Sequence, residues 1–195
     1  MEKSIGKKLN TSVFISGRGS NLKSLIKYSK KNNKKIKIKL IISDNYFAKG
    51  LNFAKKNKIN SLIVDYKIKK FAEKKILLSL KKNNINLICL AGYMKILSSQ
   101  FIKKFGRPIL NIHPSLLPKY KGLDTHKKVL KSKDKFTGAT VHLVNSKLDA
   151  GKIILQKKVR IYKKDTEKSL SKRVLKIEHK LYPTALDKFL LNTKI

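Results

Sequence analysis

One cysteine, Cys89, in 195 residues excludes an intramolecular disulfide. It lies in the apolar run Leu87-Ile88-Cys89-Leu90-Ala91, where nothing would lower a thiol pKa. A buried, inert thiol in a reducing compartment is therefore expected rather than a nucleophile. No apolar stretch approaches the length of a membrane span, and Met1-Glu2-Lys3 runs into polar residues without the apolar centre of a secretory leader. A soluble, cytoplasmic protein with no membrane partner is expected. Internal repeats, a Gly/Ser linker and a Pro-rich stretch are also missing. The expectation is one domain over residues 1–195, with an N-terminal lobe over about 9–105 and a C-terminal lobe over about 106–195. That length can bury a core without a metal or disulfide staple. No Cys/His or His/carboxylate spacing suggests a metal site, and none is expected. A Gly-x-Ser-x-Gly elbow is absent, and Ser115 is followed by Leu116-Leu117-Pro118, which supplies no neighbouring base.

Acidic residues are scarce as well: 11 Asp and Glu stand against 48 Lys and Arg, a net charge of +37. Such an excess points toward nucleic acid. The pattern points elsewhere. Arginine occurs only as Arg18, Arg107, Arg160 and Arg173, whereas bidentate readout of bases leans on arginine. The lysines are spread over the whole chain in company with Asn and Ile, which a biased genome composition suffices to explain. No specific nucleic-acid partner is expected. The field still attracts anionic small molecules.

What is present is an alternation of apolar runs with helical patterns. Strands are expected over residues 11–16, 36–43, 61–65 and 86–91, with helices over 21–30, 47–56 and 69–82 between them. Near-continuous apolar strands separated by helices imply an α/β fold with a parallel sheet covered on both faces. Beyond Ala91 the expectation is a short helix near 99–105, a strand over 108–113, a turn-rich segment over 114–124, a helix near 125–132 and strands near 137–144 and 153–160. Asp165 or Thr166 reads as the N-cap of a last helix whose stripe is Leu170, Val174, Ile177 and Leu181, and which Pro183 ends or kinks.

Three places can carry chemistry. Ser16-Gly17-Arg18-Gly19-Ser20-Asn21 follows the first strand and opens the first helix, where glycines and free amides suit a phosphate. It lacks the third glycine of a dinucleotide fingerprint, and it is not a Walker loop. A plain tight turn with Ser20 as N-cap fits it equally well. Asn111 and His113 lie two apart at a strand end and so share a face, where an amide and an imidazole can stabilise an oxyanion and move a proton. By pattern alone a structural pair, with His113 bonded to a backbone carbonyl, is the better reading. Asp149 precedes Ala150-Gly151. It could orient His113 and raise its pKa, although by itself it reads first as a turn residue. His142, on an apolar strand, reads as structural, and His126 and His179 sit in helical patterns.

Taken together the motifs resemble the phosphoribosylglycinamide formyltransferases, members of the folate-dependent formyltransferase superfamily. The resemblance rests on Asn111-Ile-His113-Pro-Ser-Leu-Leu-Pro118 with Gly122 and Thr125-His126, on Ile15-Ser-Gly-Arg-Gly-Ser-Asn21, and on Ile42-Ser-Asp-Asn45. It rests also on Leu90-Ala-Gly-Tyr-Met-Lys-Ile-Leu97, Gly138-Ala-Thr-Val-His142, Leu148-Asp-Ala-Gly151 and Glu178-His179. It implies an open, mostly parallel twisted sheet with helices on both faces, of Rossmann-like type. It implies transfer of a formyl group from 10-formyltetrahydrofolate, as co-substrate, to glycinamide ribonucleotide. Gly19, Ser20 and Asn21 would hold the phosphate and Glu178 the ribose hydroxyls. Met94, Lys95, Ile96 and Leu97 would line the pterin pocket, with Lys69, or its neighbour Lys70, a further folate contact. Asn111, which would also touch the folate, His113 and Asp149 would be catalytic, with a protonated His113 and Asn111 stabilising the oxyanion. A monomer or homodimer is expected.

Lys152 stands where the family usually has proline, and Leu175 where a polar residue often helps hold the ribonucleotide. Both bear on affinity rather than chemistry. Related formyltetrahydrofolate deformylases have a second His where Pro114 stands, and methionyl-tRNA formyltransferases lack the Gly-Ser-Asn loop. Each also carries an additional domain that 195 residues are not expected to hold. A charge-driven nucleic-acid binder on an α/β scaffold is the rival from a different class, and it would tolerate loss of His113.

Overall fold

The computed structural model describes residues 8–32 and 34–192. Residues 1–7, on which the expectation of no leader rests, lie outside the described residues. The chain clusters into two compact units, one ending at Ile109 and one beginning at Leu110.

The first unit is built from β1 (Leu9–Ile15), α1 (Ser20–Ser29), β2 (Ile36–Ser43), α2 (Leu51–Lys56), β3 (Asn60–Ile63), α3 (Lys69–Lys82), β4 (Leu87–Leu90) and α4 (Ser99–Phe105). β1 pairs in parallel with β2 and β4, and β2 with β3. Val13, Phe14 and Ile15 of β1, and every residue of β4, are buried in succession. Both faces of these strands are therefore covered, which is what parallel pairing through helical crossovers requires. Cys89 is a free, buried thiol in this core, as its apolar run implies.

α2 begins at Leu51, later than the expected residue 47. The Asn45 side chain is the reason. Its Oδ1 accepts from the Phe47 amide at 2.9 Å, closing a local turn that competes with helix.

The second unit holds most of β5 (Ile109–His113), then α5 (Thr125–Lys131), β6 (Phe136–Leu143), β7 (Ile153–Arg160) and α6 (Glu167–Leu191). β5, β6 and β7 pair antiparallel in sequence order. The seven strands form an open sheet in the order β3-β2-β1-β4-β5-β6-β7. Thr166, not Asp165, is the N-cap of α6: its hydroxyl accepts from the Ser169 amide, and the Ser169 hydroxyl accepts from the Thr166 amide. Asp165 instead pairs with Arg173.

Of the two outcomes expected at Pro183, an end or a kink, the first does not occur; α6 continues to Leu191. An interior proline costs a helix about 3 kcal/mol. Beyond it Ala185, Leu186, Phe189 and Leu190 are all buried. A fully buried Leu or Phe side chain contributes roughly 1.5–3 kcal/mol, so the three larger side chains outweigh the proline. Tyr182, immediately before it, is fully buried and donates its hydroxyl to the Leu110 carbonyl at 3.0 Å. Among the described residues no helix is long and apolar enough to cross a membrane.

Candidate active site

β5 delivers Asn111 and His113 at its end, and β6 runs antiparallel beside it with Asn111 opposite His142 and His113 opposite Thr140. His113 is 5 % exposed. Its Nε2 lies 2.8 Å from the Tyr120 carbonyl oxygen, and its Nδ1 lies 3.4 Å from Asp149 Oδ2. The backbone-carbonyl bond of the structural reading and the carboxylate partner of the catalytic reading are thus both present. Both ring nitrogens face oxygen acceptors, which suits the doubly protonated ring. Burial works against that charge and prevails: His113 lies below its usual 6.5, although the Tyr120 carbonyl and the Asp149 charge pull it upward. Asp149 pulls the His113 pKa upward, as its assigned role requires, while desolvation of the ring pulls harder the other way.

Asp149 is held from several sides. The Gly122 amide donates to its Oδ2 at 2.9 Å, and His142 Nε2 stands 3.6 Å from its Oδ1. Burial raises the Asp149 pKa, but the Gly122 amide and the nearness of His113 work against it, and the net shift is downward. The carboxylate is therefore ionised at neutral pH. Its backbone is left-handed, with φ 46, a conformation that Asp tolerates better than most residues. The turn closes through Gly151: a Cβ there would lie 1.7 Å from the Leu143 carbonyl oxygen. The Leu143 amide in turn donates to the Lys152 carbonyl at 2.9 Å. Asp149 is at once a turn residue and a partner of His113.

His142 joins this group, although its apolar strand marked it as structural. Its Nδ1 faces its neighbour's carbonyl, Leu143 O, at 2.8 Å, and its Nε2 lies 3.2 Å from Asn111 Nδ2. A carbonyl only accepts, so in this arrangement Nδ1 carries hydrogen and Nε2 accepts from the Asn111 amide. The second Nδ2 hydrogen of Asn111 remains available to another acceptor. The sequence offered a histidine in an apolar strand and the Gly138–His142 motif, and what His142 contacts depends on the β5–β6 register.

The segment after His113 is pinned by buried polar bonds. Ser115 donates to the Lys119 carbonyl at 2.6 Å, and Thr140 Oγ1 donates to the Ser115 carbonyl at 2.6 Å. Gln156 Nε2 bonds both the Leu117 carbonyl and Thr140 Oγ1 at 2.8 Å. Ser115 is fully buried and structural. Glu178 is buried on α6, and Leu175 on the same helix is half-buried.

In the first unit the Gly19-Ser20-Asn21 segment opens α1. Gly19, not Ser20, is the N-cap; its φ is 72 and no side chain caps the helix. The amides at the helix start are thus not taken by a capping side chain, which suits an anion. Gly19 is required sterically too, since a Cβ there would sit 2.5 Å from the Gly50 Cα. Asn21 is buried. After β4, Met94 and Ile96 are largely exposed at 61% and 63%, while Leu97 is buried. Lys95 pairs loosely with Asp44 at 3.8 Å. Lys69 opens α3 and lines a cavity of about 900 Å³ with residues such as Glu73, Leu77, Phe101 and Arg107, a lining that includes none of Met94–Leu97. No group of three or more metal-ligating side chains occurs among the described residues.

Residues 9–186 match the formyl transferase family. The chain is 41% identical over 183 residues to the trifunctional purine biosynthetic protein adenosine-3 of Homo sapiens, covering 92% of this chain but 18% of that protein. It is 36% identical over 184 residues to the phosphoribosylglycinamide formyltransferase of Escherichia coli (strain K12), covering 93% of this chain and 87% of that one. The crystal structure of phosphoribosylglycinamide formyltransferase from Brucella melitensis superposes with a TM-score of 0.88 at 41% identity, covering 97% and 99% of the two chains. The chain therefore belongs to the formyl transferase family, alongside its phosphoribosylglycinamide formyltransferases.

Proposed function

We propose that this chain transfers the formyl group of 10-formyltetrahydrofolate to the amine of glycinamide ribonucleotide, giving formylglycinamide ribonucleotide and tetrahydrofolate in purine synthesis. The observation that carries the reading is the cluster in which His113 stands between the Tyr120 carbonyl and Asp149 while Asn111 presents an amide on the same strand end. The names of the relatives support the choice of substrates. We place the enzyme in the cytoplasm as a monomer or homodimer; the location is supported by the biosynthetic names of the relatives.

On this reading the Gly19-Ser20-Asn21 segment holds the phosphate and Glu178 the ribose hydroxyls. Met94–Leu97 receive the pterin end, and Lys69 is a further folate contact. The substrate amine attacks the formyl carbon, and the carbonyl π pair moves to oxygen. The Asn111 amide donates to that oxyanion. Attack acidifies the amine, and the neutral His113 accepts its proton directly or through a water. The imidazolium so formed faces Asp149, which stabilises it. His113 then returns the proton to the folate nitrogen as the C–N bond to the folate breaks. Burial of the ring, which favours its uncharged form, suits this role.

The test is to mix the purified protein with 10-formyltetrahydrofolate, with and without glycinamide ribonucleotide, and follow folate release. Release that requires the ribonucleotide is expected. Release without it would identify a hydrolase. No release in either case from folded protein would overturn the proposal.

A further inference from the structure

Every polar atom group of Ser16 is engaged, and each engages a different part of the first unit. Its amide donates to the Gly92 carbonyl at 3.1 Å. Its Oγ accepts from the Met94 amide at 2.8 Å. Its carbonyl accepts from Asn45 Nδ2 at 3.1 Å. Ser16 directly follows β1, Asn45 lies two residues past the end of β2, and Gly92 and Met94 follow β4. It thus joins three strand exits at the carboxyl end of the parallel strands, the end at which α/β sheets place their ligands.

Ser16 also directly precedes the Gly17–Asn21 loop, and the same anchoring continues there: the Gly50 amide donates to the Gly17 carbonyl at 3.0 Å. The loop is held at its root by Ser16 and against α2 by Gly50. On the other side, the Ser16 hydroxyl is a side-chain acceptor for the first residue of the Met94–Leu97 segment. The backbone of that segment is thus positioned by the residue at the root of the Gly17–Asn21 loop. Alanine in place of Ser16 would keep the amide and carbonyl bonds and remove only the link to Met94.

We propose that Ser16 is a positioning residue that couples the ribonucleotide loop to the folate segment, so that occupancy of either subsite favours the other. The inference rests on the formyl-transfer reading above. Its physical content is reciprocal linkage: a ligand that fixes one end of the Ser16–Met94 bond fixes the other, and each substrate must improve the affinity of the other by the same factor. A single net hydrogen bond bounds that factor at about two- to tenfold.

The experiment is steady-state kinetics of Ser16→Ala and Ser16→Thr, with each substrate varied at low and saturating levels of the other. Ser12→Ala serves as the control: Ser12 lies on the same strand but donates to the Leu40 carbonyl inside the sheet. In Ser16→Ala the KM values for both substrates are expected to rise together, by about two- to tenfold, with kcat nearly unchanged. The dependence of each KM on the other substrate should disappear. Ser16→Thr, which keeps a hydroxyl, should restore both, and Ser12→Ala should lower the melting temperature without moving either KM. A rise in one KM alone, or in neither, in folded Ser16→Ala overturns the coupling while leaving the formyl-transfer reading intact. If Ser16→Ala does not fold, the same joint rise is required of Asn45→Ala, which reaches this backbone from the β2 side. Absence of turnover in the unaltered protein overturns both.

Discussion

Asn111 and His142 face each other across the β5–β6 pair, amide Nδ2 to imidazole Nε2 at 3.2 Å. In the neutral ring whose Nδ1 carries the hydrogen, Nε2 can only accept, and that fixes which end of the amide faces His142. In that arrangement Asn111 turns its nitrogen toward His142, and on the proposed mechanism its second N–H is the donor for the developing oxyanion. Without His142 the amide could rotate and present its oxygen to a negative charge.

His142→Ala is accordingly expected to lower kcat with little change in either KM. Removal of one oxyanion donor typically costs about 10²–10³ in kcat, which sets the range for Asn111→Ala. The double variant should be scarcely worse than Asn111→Ala, since both changes remove the same donor. Additive losses in a double-mutant cycle would show that His142 acts independently of Asn111.

Asp149→Asn tests the carboxylate without disturbing its turn. Asn tolerates the left-handed backbone and its side-chain oxygen can still accept from the Gly122 amide. The charge that stabilises a protonated His113 is lost, so kcat should fall by about 10²–10⁴, the span of a general acid–base contribution. His113→Ala should fall in the same range. Melting temperatures near that of the unaltered protein, measured alongside, would assign the loss to chemistry; near-normal kcat in either variant would contradict the assigned roles.

Gly151→Ala should displace the Asp149 turn. The added Cβ would meet the Leu143 carbonyl oxygen at 1.7 Å, and backbone cannot yield as a flexible side chain can. A destabilisation of about 1–3 kcal/mol, typical of forced overpacking, is expected by denaturant titration. The kcat should fall as well, because the strand β6 end and the carboxylate move apart. Unchanged stability would mean that the turn relaxes freely.

Stability should decline in acid in two steps. His113 has its pKa lowered by burial, against the pull of Tyr120 and Asp149. Below about 6.5 the unfolded chain binds a proton that the folded ring resists, so stability falls as pH drops from there toward the folded value. His126, also lowered chiefly by burial, contributes with the same sign. Asp149 lies below 3.8 on balance, so its contribution is present above that value and is lost as pH falls through the folded pKa. Melting temperatures of His113→Gln between pH 7 and 5 should fall less steeply than those of the unaltered protein; an equal slope would remove His113 from the account.

Element types and many boundaries were legible before any coordinates. β2, α3, α4 and β7 occupy the residues that periodicity and apolar runs assign to them. Misreadings arise where a specific side-chain bond or distant packing competes with local pattern. Asn45 delays α2 by closing a turn of its own. Pro183 is carried inside α6 by the buried residues on either side of it. Ser20 resembles an N-cap, yet Gly19 takes that place in a left-handed conformation.

The candidate site divides the same way. Asn111 and His113 are two residues apart on one strand, so the chain's local geometry alone puts them on a shared face. The Gly17–Asn21 loop and the Met94–Leu97 segment were likewise visible as motifs. Three matters depended on residues far apart in sequence. His142 reaches Asn111 only through the antiparallel register of β5 and β6. Asp149 reaches His113 only because Gly151 lets its turn close on Leu143. The charge of His113 could not be inferred from its neighbours, because a carboxylate at 3.4 Å raises the pKa while burial lowers it. Which effect prevails is set by how much water the folded chain excludes, and that quantity exists only once the tertiary structure has formed.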